Sequence, residues 1–374
     1  MPEYPQVARE ITALRKRGDI DGAIALFRDT PENVRTLAEV RSAMAWVLYD
    51  RDIRPIAPAA QKADPTLRVT TKMVEDALAS VSKIRTWCNK DPYSTFSAYP
   101  TSLFAVCKML RDRDMYDELR QLLLSDQPHN FSAIRDGAFS SHREQWVALA
   151  LDANKQVLAA DNLTPQRARL AQPLLDILAD LDNKRGLSAD RPEINNNGQR
   201  RRLPSHRQRF FLQYTKLLQE TDQTEKLVTA CRKALQDDVF RNDPNRKWIL
   251  YRLAVGLKES DPAQALPVCT DFVAIEQKTY AFLLLAEIHL ANGDRDEARR
   301  EAAHSLQIIG GRDLPYITKN LSFLAALLDD VEEKKMHVQM VRAIRHEQGH
   351  PPSPALEEQA AELGLPDPKE SPAV

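Results

Sequence analysis

Cysteine is scarce in this chain, and long apolar runs are missing. Only four cysteines occur among 374 residues, and no two of them have the spacing of a metal site. They are Cys88, Cys107, Cys231 and Cys269. A chain of this length needs no disulfides, so we expect buried, reduced thiols that pack as small hydrophobes. No stretch approaches the roughly 18 consecutive apolar residues of a membrane-spanning helix.

An excess of charge of either sign is also missing. The chain has 52 basic and 53 acidic side chains, which gives a formal net charge of −1. Without a strong overall field, only local patches can attract nucleic acid or an anionic membrane. The N-terminal residues lack the basic and apolar blocks of a secretory signal. We therefore predict a cytoplasmic protein.

Strand signals are nearly absent, whereas helical periodicity runs almost throughout. The single Asn-Gly pair, at 197–198, lies in a polar stretch rather than between alternating β-branched runs. Apolar spacing predicts helices over 6–17, 21–29, 36–50 and 70–88. Thr36 with Glu39 three residues later fits a capping box at the start of the third helix. The four tryptophans (Trp46, Trp87, Trp146 and Trp248) lie in or near predicted helices, and we expect them to be core residues or wedges between repeats.

A short turn pattern recurs between helices and decides the predicted architecture. Its clearest copies are Gly-Asp-Ile-Asp-Gly-Ala at 18–23 and Gly-Asp-Arg-Asp-Glu-Ala at 293–298. Weaker copies lie at 114–119, 222–227 and 260–265. We expect the first residue to make the turn, as a small residue or in a left-handed conformation. We expect the second to cap the next helix and the final Ala or Leu to pack between helices.

The best-formed copy, at 279–309, resembles the tetratricopeptide repeat, whose period is about 34 residues. We expect Ala286 at the close approach of its two helices, with Ala298 and Ala302 filling the opposite face. The predicted fold is all-α: a right-handed α-solenoid of degenerate tetratricopeptide-like helix pairs, with roughly 14–16 helices. The predicted parts are an N-terminal helical half (1–185), a polar and basic loop or linker (186–206), a C-terminal half (207–350) and a Pro-rich flexible tail (351–374).

Several blocks also resemble a bacterial family of tetratricopeptide-like proteins that accompany TOTE conflict systems and cold-shock-type modules. The blocks are Gly18-Asp19, Ala45-Trp46-Val47-Leu48-Tyr49-Asp50, Asp91-Pro92-Tyr93-Ser94, Ser141-His142-Arg143-Glu144-Gln145-Trp146, Leu203-Pro204-Ser205, Lys247-Trp248 and Ile344-Arg345-His346-Glu347-Gln348-Gly349. The resemblance covers most of residues 5–355. It implies a helical solenoid with a role in defence or conflict, and it implies no active site.

A basic segment is the first candidate site. It comprises Arg200, Arg201, Arg202, Arg207 and Arg209, and it leads into Phe210 and Phe211. Arginines beside aromatic rings could clamp phosphates and stack bases. The alternative is a solvated loop whose phenylalanines enter the core of the next helix.

Two further motifs suggest sites. The aromatic loop at 91–100 offers Tyr93, Phe96 and Tyr99 as a rim for a protein partner, or else its rings cover the edge of the solenoid. His346-Glu347-Gln348-Gly349-His350 spells the HExxH of zinc hydrolases. However, Gly349 and Pro351 predict that the helix ends before the second histidine.

No glycine-rich phosphate loop and no nucleophile elbow are present in the sequence, so we predict a chain without a cofactor or catalytic residue. The leading hypothesis is a protein-interaction scaffold that binds a protein or peptide in a concave face, within a bacterial defence or conflict system. The alternative is a nucleic-acid-binding accessory protein that uses the Arg200–Phe211 segment. A zinc hydrolase is the remote alternative. The sequence leaves the oligomeric state open.

Overall fold

The protein is described by a computed structural model. The structure describes residues 4–87, 98–126, 139–159, 163–196, 199–308, 314–349, 351 and 353–366. It divides into two compact units, Met1–Gln213 and Tyr214–Val374. The described residues are mostly helical, which confirms the predicted all-α class.

The first unit contains eleven α-helices and the start of a twelfth within its described residues. They are α1 (Tyr4–Lys16), α2 (Ile20–Asp29), α3 (Glu32–Arg35), α4 (Ala38–Leu48), α5 (Pro58–Ala63), α6 (Thr71–Trp87), α7 (Ala98–Asp112), α8 (Tyr116–Ser125), α9 (Phe139–Leu158), α10 (Pro165–Arg169), α11 (Gln172–Arg185) and α12 (His206–Glu220). A five-residue π-helical segment, Tyr49–Ile53, continues α4 and is followed by a short 3₁₀ turn, Arg54–Ile56.

The second unit continues α12 with eight further helices among the residues described. They are α13 (Thr224–Gln236), α14 (Arg246–Leu257), α15 (Pro262–Ile275), α16 (Thr279–Ala291), α17 (Arg295–Gln307), α18 (Leu314–Leu327), α19 (Val331–Glu347) and α20 (Pro354–Glu362). A 3₁₀ turn, Asp238–Phe240, follows α13. The described residues thus form twenty α-helices, more than the predicted 14–16, and four of them (α3, α5, α10 and α20) have nine residues or fewer.

The recurring turn pattern builds the joints between helices as predicted. Its first residue has a left-handed backbone in four of the five copies, with φ of +81° at Gly18, +84° at Gly293, +58° at Asp114 and +56° at Asp222. The second residue caps the next helix where it is aspartate: the Asp19, Asp261 and Asp294 carboxylates each accept a hydrogen bond from a backbone N–H three residues on. The last residue is buried in every copy: Ala23, Leu119, Leu227, Ala265 and Ala298.

Successive helices pack on one another along the second unit from α13 to α20. Side chains join positions about one repeat apart: Arg232 donates to Gln264, Lys258 to Glu287, and Arg295 to the carbonyl of Leu327, across 32, 29 and 32 residues. These separations lie near the tetratricopeptide period. Ala286 and Ala302 pack with Leu324 in one buried cluster, and Ala298 is buried as well. The second unit is thus a stack of tetratricopeptide-like helix pairs.

The predicted capping box at Thr36 and Glu39 is wrong. Residues Glu32–Arg35 form the short helix α3, and Thr36 ends it with φ −81° and ψ −9°. Its hydroxyl donates to the carbonyl of Asn33 rather than accepting from an amide. Helix α4 begins after the extended residue Leu37 without a side-chain cap. An N-cap residue needs an extended backbone, and the C-terminal position in α3 denies that to Thr36.

The prediction of a loop over 186–206 also needs correction, because this segment contains a β-hairpin. Strand β1 (Glu193–Asn196) pairs antiparallel with β2 (Gln199–Arg202), in a register that joins Glu193 to Arg202 and Asn196 to Gln199. That register leaves two residues between the strands, and the sequence there, Asn-Gly, is the pair favoured in two-residue hairpins. The strands gave no apolar alternation because seven of their eight residues are polar, and Glu193, Arg200 and Arg202 are exposed.

Candidate functional site

A groove of about 820 Å³ lies between α1 and α4 in the first unit. Helix α1 lines it with Ala8, Arg9, Thr12, Ala13 and Lys16. Helix α4 lines it with Ala38, Glu39, Ser42, Ala43 and Trp46. The two helices run in the same direction, because Arg15 near the end of α1 contacts Trp46 near the end of α4. Helix α2, which connects them, packs against both.

Small side chains at helical spacing keep the groove open. Ala38, Ser42 and Trp46 succeed one another at intervals of four on α4, so they share one face of that helix. Thr12 and Ala13 oppose them on α1. The opposite face of α4 carries Val40, Val47 and other buried residues. The groove is therefore the side of this helix pair that its own core does not use.

One end of the groove is organised around Trp46. The Arg15 guanidinium lies 5.5 Å from the centre of the Trp46 ring and 3.7 Å from the Asp50 carboxylate. Asp50 also receives Arg54 at 3.4 Å. The Tyr49 ring meets Trp46 edge-on at 5.7 Å, and burial raises the pKa of the Tyr49 phenol, partly opposed by Arg54.

The π-helical segment sets this arrangement. Tyr49 and Asp50 begin the segment that continues α4, and π-helical turns inside or beside α-helices occur often at functional sites. Trp46 is half-buried, so its ring is held in place while one part stays open to the groove. An aromatic ring fixed in this way is the kind of anchor on which protein interfaces depend.

The charges along the groove are not used inside the protein. Arg9, Lys16 and Glu39 are exposed, and none of them forms an ion pair within 4 Å among the residues described. Lys16 and Arg9 lie on the α1 wall, whereas Glu39 lies on the α4 wall. The α1 side of the groove is therefore positive.

Three arginines of the predicted basic segment form ion pairs with acidic residues of the first unit. Arg207 lies 3.4 Å from the buried Asp182 carboxylate, and Arg209 lies 2.5 Å from Asp152. Arg202 pairs across the hairpin with Glu193 at 2.8 Å. Arg200 is exposed, and the Arg201 side chain lies outside the described residues.

The two phenylalanines that follow this segment are core residues. Phe210 and Phe211 are each 2% exposed, and their rings contact each other at 5.4 Å. Buried rings cannot stack on bases. Their burial agrees with the alternative interpretation, in which the phenylalanines enter the core of the helix. Beside them, His206 Nδ1 lies 2.6 Å from the Glu144 carboxylate, and this hydrogen bond lowers the pKa of Glu144.

Of the three residues predicted to form an aromatic rim, only Tyr99 lies among the described residues. Tyr93 and Phe96 lie outside the described residues, so their part stays a prediction. Tyr99 is 1% exposed, and burial, with the nearby Asp126 carboxylate, raises the pKa of its phenol far above the ordinary value. A ring buried to this extent cannot contact a partner. The sequence suggested an exposed ring because polar residues precede Tyr99, whereas the structure places Tyr99 in the first turn of α7.

The HExxH motif lies where a helix ends. Helix α19 stops at Glu347, and Gly349 has a left-handed backbone with φ of +67°, as predicted. His350 lies outside the described residues. No group of three histidine, cysteine, aspartate or glutamate side chains that could hold a metal ion occurs in the part of the chain that the structure describes.

The predicted thiols and tryptophans divide into core and surface. Cys107, Cys231 and Cys269 are fully buried, and burial raises the pKa of Cys231 and of Cys269 to about 12. Cys88 lies outside the described residues. Trp146 is a core residue, as predicted, whereas Trp46 lines the groove. The sequence signal for the groove was the small–small–Trp spacing on α4, which also fits a buried helix face.

Comparisons with known proteins give distant structural similarity alone. No protein-family model matches it, and no curated protein matches it. Similar solved structures include a human IFIT1 dimer with PPP-AAAA, at 11% identity and a TM-score of 0.35 over 96% of this chain and 84% of that one. The APC/C hetero-tetramer Cut9–Hcn1 aligns at 10% identity and 0.32, over 96% and 68%. A Rap protein complexed with Competence and Sporulation Factor aligns at 13% and 0.30, over 97% and 96%.

These neighbours are tetratricopeptide-repeat helical proteins. No helix in the described part of this chain combines the length and apolar character that a membrane span requires.

Proposed function

We propose that the chain is a non-catalytic interaction scaffold that holds a partner protein in the groove between α1 and α4. The observation that carries the proposal is the groove itself. It joins 820 Å³ of open volume to a fixed aromatic ring, Trp46, and to unpaired charged side chains on its rim. Interfaces draw much of their affinity from a few aromatic anchors surrounded by polar groups.

Small residues make the groove suitable for close contact. Ala13, Ala38 and Ser42 let the main chain of a guest approach within van der Waals distance of both helices. The described residues around the groove include no nucleophile paired with a base and no carboxylate pair. Binding is thus the activity that this surface supports.

We further propose that this binding serves a bacterial defence or conflict system. The support is the resemblance of the sequence blocks given above, one of which, Ala45–Asp50, contains Trp46 and the first two residues of the π-helical segment beside the groove. A scaffold in such a system would bring an effector and its regulator together on one chain.

The test is affinity capture from the organism that encodes the chain, with wild type and two tryptophan variants. Ser42→Trp fills the groove, whereas Ser82→Trp adds the same ring at an exposed site on α6. Each sample is divided into nuclease-treated and untreated halves. We expect one defined protein to be recovered equally from both halves with wild type and Ser82→Trp, and to be lost with Ser42→Trp. A partner that Ser42→Trp retains, or no partner at all, contradicts the proposal.

A nucleic-acid-binding accessory protein is the second candidate, and the exposed hairpin favours it. Arg200 forms no ion pair among the described residues, and the Arg202–Glu193 pair is exposed to solvent. Both could contact phosphates. We expect Arg200→Glu with Arg202→Glu to abolish any RNA or DNA binding at low salt and to leave thermal stability unchanged. Binding that persists in this double variant, or is absent from wild type at low salt, removes the candidate.

A further inference from the structure

We infer that the groove between α1 and α4 selects an acidic amphipathic helix of its partner. This helix would carry two carboxylates two turns apart along the flank that faces α1. The inference rests on the proposed function and specifies the chemistry of the partner.

The charge pattern of the α1 wall points to acidic side chains. Arg9 and Lys16 are seven residues apart, so they lie on one face of α1 and about 10.5 Å apart along its axis. Neither has an ion-pair partner within 4 Å among the described residues. A guest helix parallel or antiparallel to α1 presents side chains at i and i+7 with the same spacing.

The Trp46 end of the groove strengthens this preference. Arg15 and Arg54 share one carboxylate, Asp50, and Lys16, the residue after Arg15, lines the groove. Two arginines on one carboxylate, together with Lys16, give an excess of positive charge near this end. A carboxylate placed there would gain a charge-assisted contact without displacing an internal pair.

The opposite wall sets the guest's second flank. Glu39 is exposed on α4 without an ion-pair partner among the residues described, and it lies at the end of the groove away from Trp46. A basic side chain on the guest would complement it. Glu39 and the α1 cations together therefore favour one orientation of the guest.

The backbone of the groove favours a helix over an extended peptide. Both walls are α-helices whose amide and carbonyl groups bond internally, so an extended segment would find no main-chain partners there. A helix satisfies its own main chain and needs only an apolar stripe to fit. Ala13, Ser42 and Ala43 provide the small floor on which that stripe would rest.

The test is a selection with a display library of helical peptides about 18 residues long, randomised on one face. Four forms of the full chain are used: wild type, Arg9→Glu with Lys16→Glu, Arg28→Glu with Lys62→Glu, and Ser42→Trp. The third form makes the same change of charge at exposed sites outside the groove. Affinities of synthetic selected peptides are then measured by fluorescence anisotropy, after circular dichroism has shown that each form is folded.

We expect wild type and the Arg28/Lys62 form to enrich peptides with Glu or Asp at i and i+7. We expect their affinity to fall at least about tenfold with the Arg9/Lys16 form and with Ser42→Trp. The Arg9/Lys16 form should itself enrich Lys or Arg at these positions. Selected peptides that need the open groove but lack acidic pairs overturn this inference and leave the proposed function standing. Peptides that Ser42→Trp binds unchanged, or no enrichment at all, overturn the groove as the binding site.

Discussion

Four copies of the turn pattern begin with a residue in the left-handed conformation. Two of these residues are glycine and two are aspartate. Gly18 and Gly293 adopt this conformation without a side-chain penalty. Asp114 and Asp222 adopt it with a short polar side chain that can bond locally. Asp114 does so, because its carboxylate accepts a hydrogen bond from the Tyr116 hydroxyl at 3.1 Å.

A substitution at Gly293 should measure the backbone cost alone. A Cβ there would meet no atom within 4 Å, while φ is +84°. We expect Gly293→Ala to lower the free energy of unfolding by about 1 kcal/mol, because L-residues are strained in the left-handed region. Gly293→Asn should recover most of that loss. Urea denaturation measures all three forms, and equal stability of the alanine and glycine forms would contradict the interpretation.

The arginines of the basic segment should separate into structural and surface residues. Asp182 is 6% exposed, and Arg207 neutralises it, so we expect Arg207→Ala to cost about 2 kcal/mol of unfolding free energy. Arg200 is exposed on the hairpin, so Arg200→Ala should change stability by less than about 0.5 kcal/mol. Thermal denaturation compares the two variants. If Arg207→Ala left the free energy of unfolding unchanged, Arg207 would have no structural role and could instead contact a ligand.

The elements that the sequence predicted are those whose signals are local. Each turn copy carries its own left-handed residue, cap and buried small residue, so the joint at 293–298 needs no distant contact to be recognised. The predicted capping box is wrong because Thr36 ends α3 and therefore cannot begin α4. The hairpin was missed because Ile194 is the one apolar residue in the sequences of β1 and β2, and only the Asn-Gly pair between them marks the turn.

The groove could not be predicted in the same way. It lies between α1 and α4, which are not consecutive, and its width depends on how α2 spaces them. The spacing of Ala38, Ser42 and Trp46 predicts a helix face but not whether a neighbouring helix covers it. The charges of Arg9 and Lys16 likewise indicate a binding surface only once α1 and α4 are found to line one groove.

Three helices of the second unit are joined by one half-buried carboxylate, and this should make their packing sensitive to acid. Glu287 on α16 accepts from Lys258 at 2.8 Å and pairs with Lys319 of α18 at 2.9 Å. Desolvation raises the pKa of Glu287, but the bonds from both lysines outweigh it and hold the pKa below 4.5. The folded state therefore binds a proton at Glu287 less readily than the unfolded state does.

The stability from Glu287 is thus fully present above pH 4.5 and is lost as the pH falls through its lower folded value. We expect Glu287→Gln to cost about 1.5 kcal/mol at pH 7 and to flatten the decline in stability between pH 5 and pH 3. Glu259→Gln, at an exposed site, is the control and should keep the wild-type profile. Urea denaturation across this pH range makes the comparison, and parallel profiles for the two variants would show that the Glu287 ion pairs add no stability.

At the scale of the molecule, the second unit is organised as a stack in which neighbouring helices supply each other's core. Leu356 and Ala360 of α20 complete a cluster with Val338 and Val341 of α19. Cys269 lies in α15, with helices packed on both sides of it along the chain. In a stack of this kind stability comes from each repeat and its interfaces with its neighbours. Among the described residues α20 packs mainly on α19, whereas α15 packs on both α14 and α16.

Thiol labelling should reveal this gradient. Cys269 is fully buried, and burial raises its thiol pKa to about 12, so it should react only when its surroundings open. In a Cys88→Ser background, Ala360→Cys places an equivalent buried thiol in α20, where the native side chain is 1% exposed. We expect its opening free energy to be at least about 1 kcal/mol lower than that of Cys269, from labelling rates resolved by peptide mass spectrometry. In denaturant both thiols should react at the same rate, which controls for chemistry. Equal protection of the two sites in the folded chain would mean that the second unit opens as one cooperative body, so that α20 is as much a part of its core as α15.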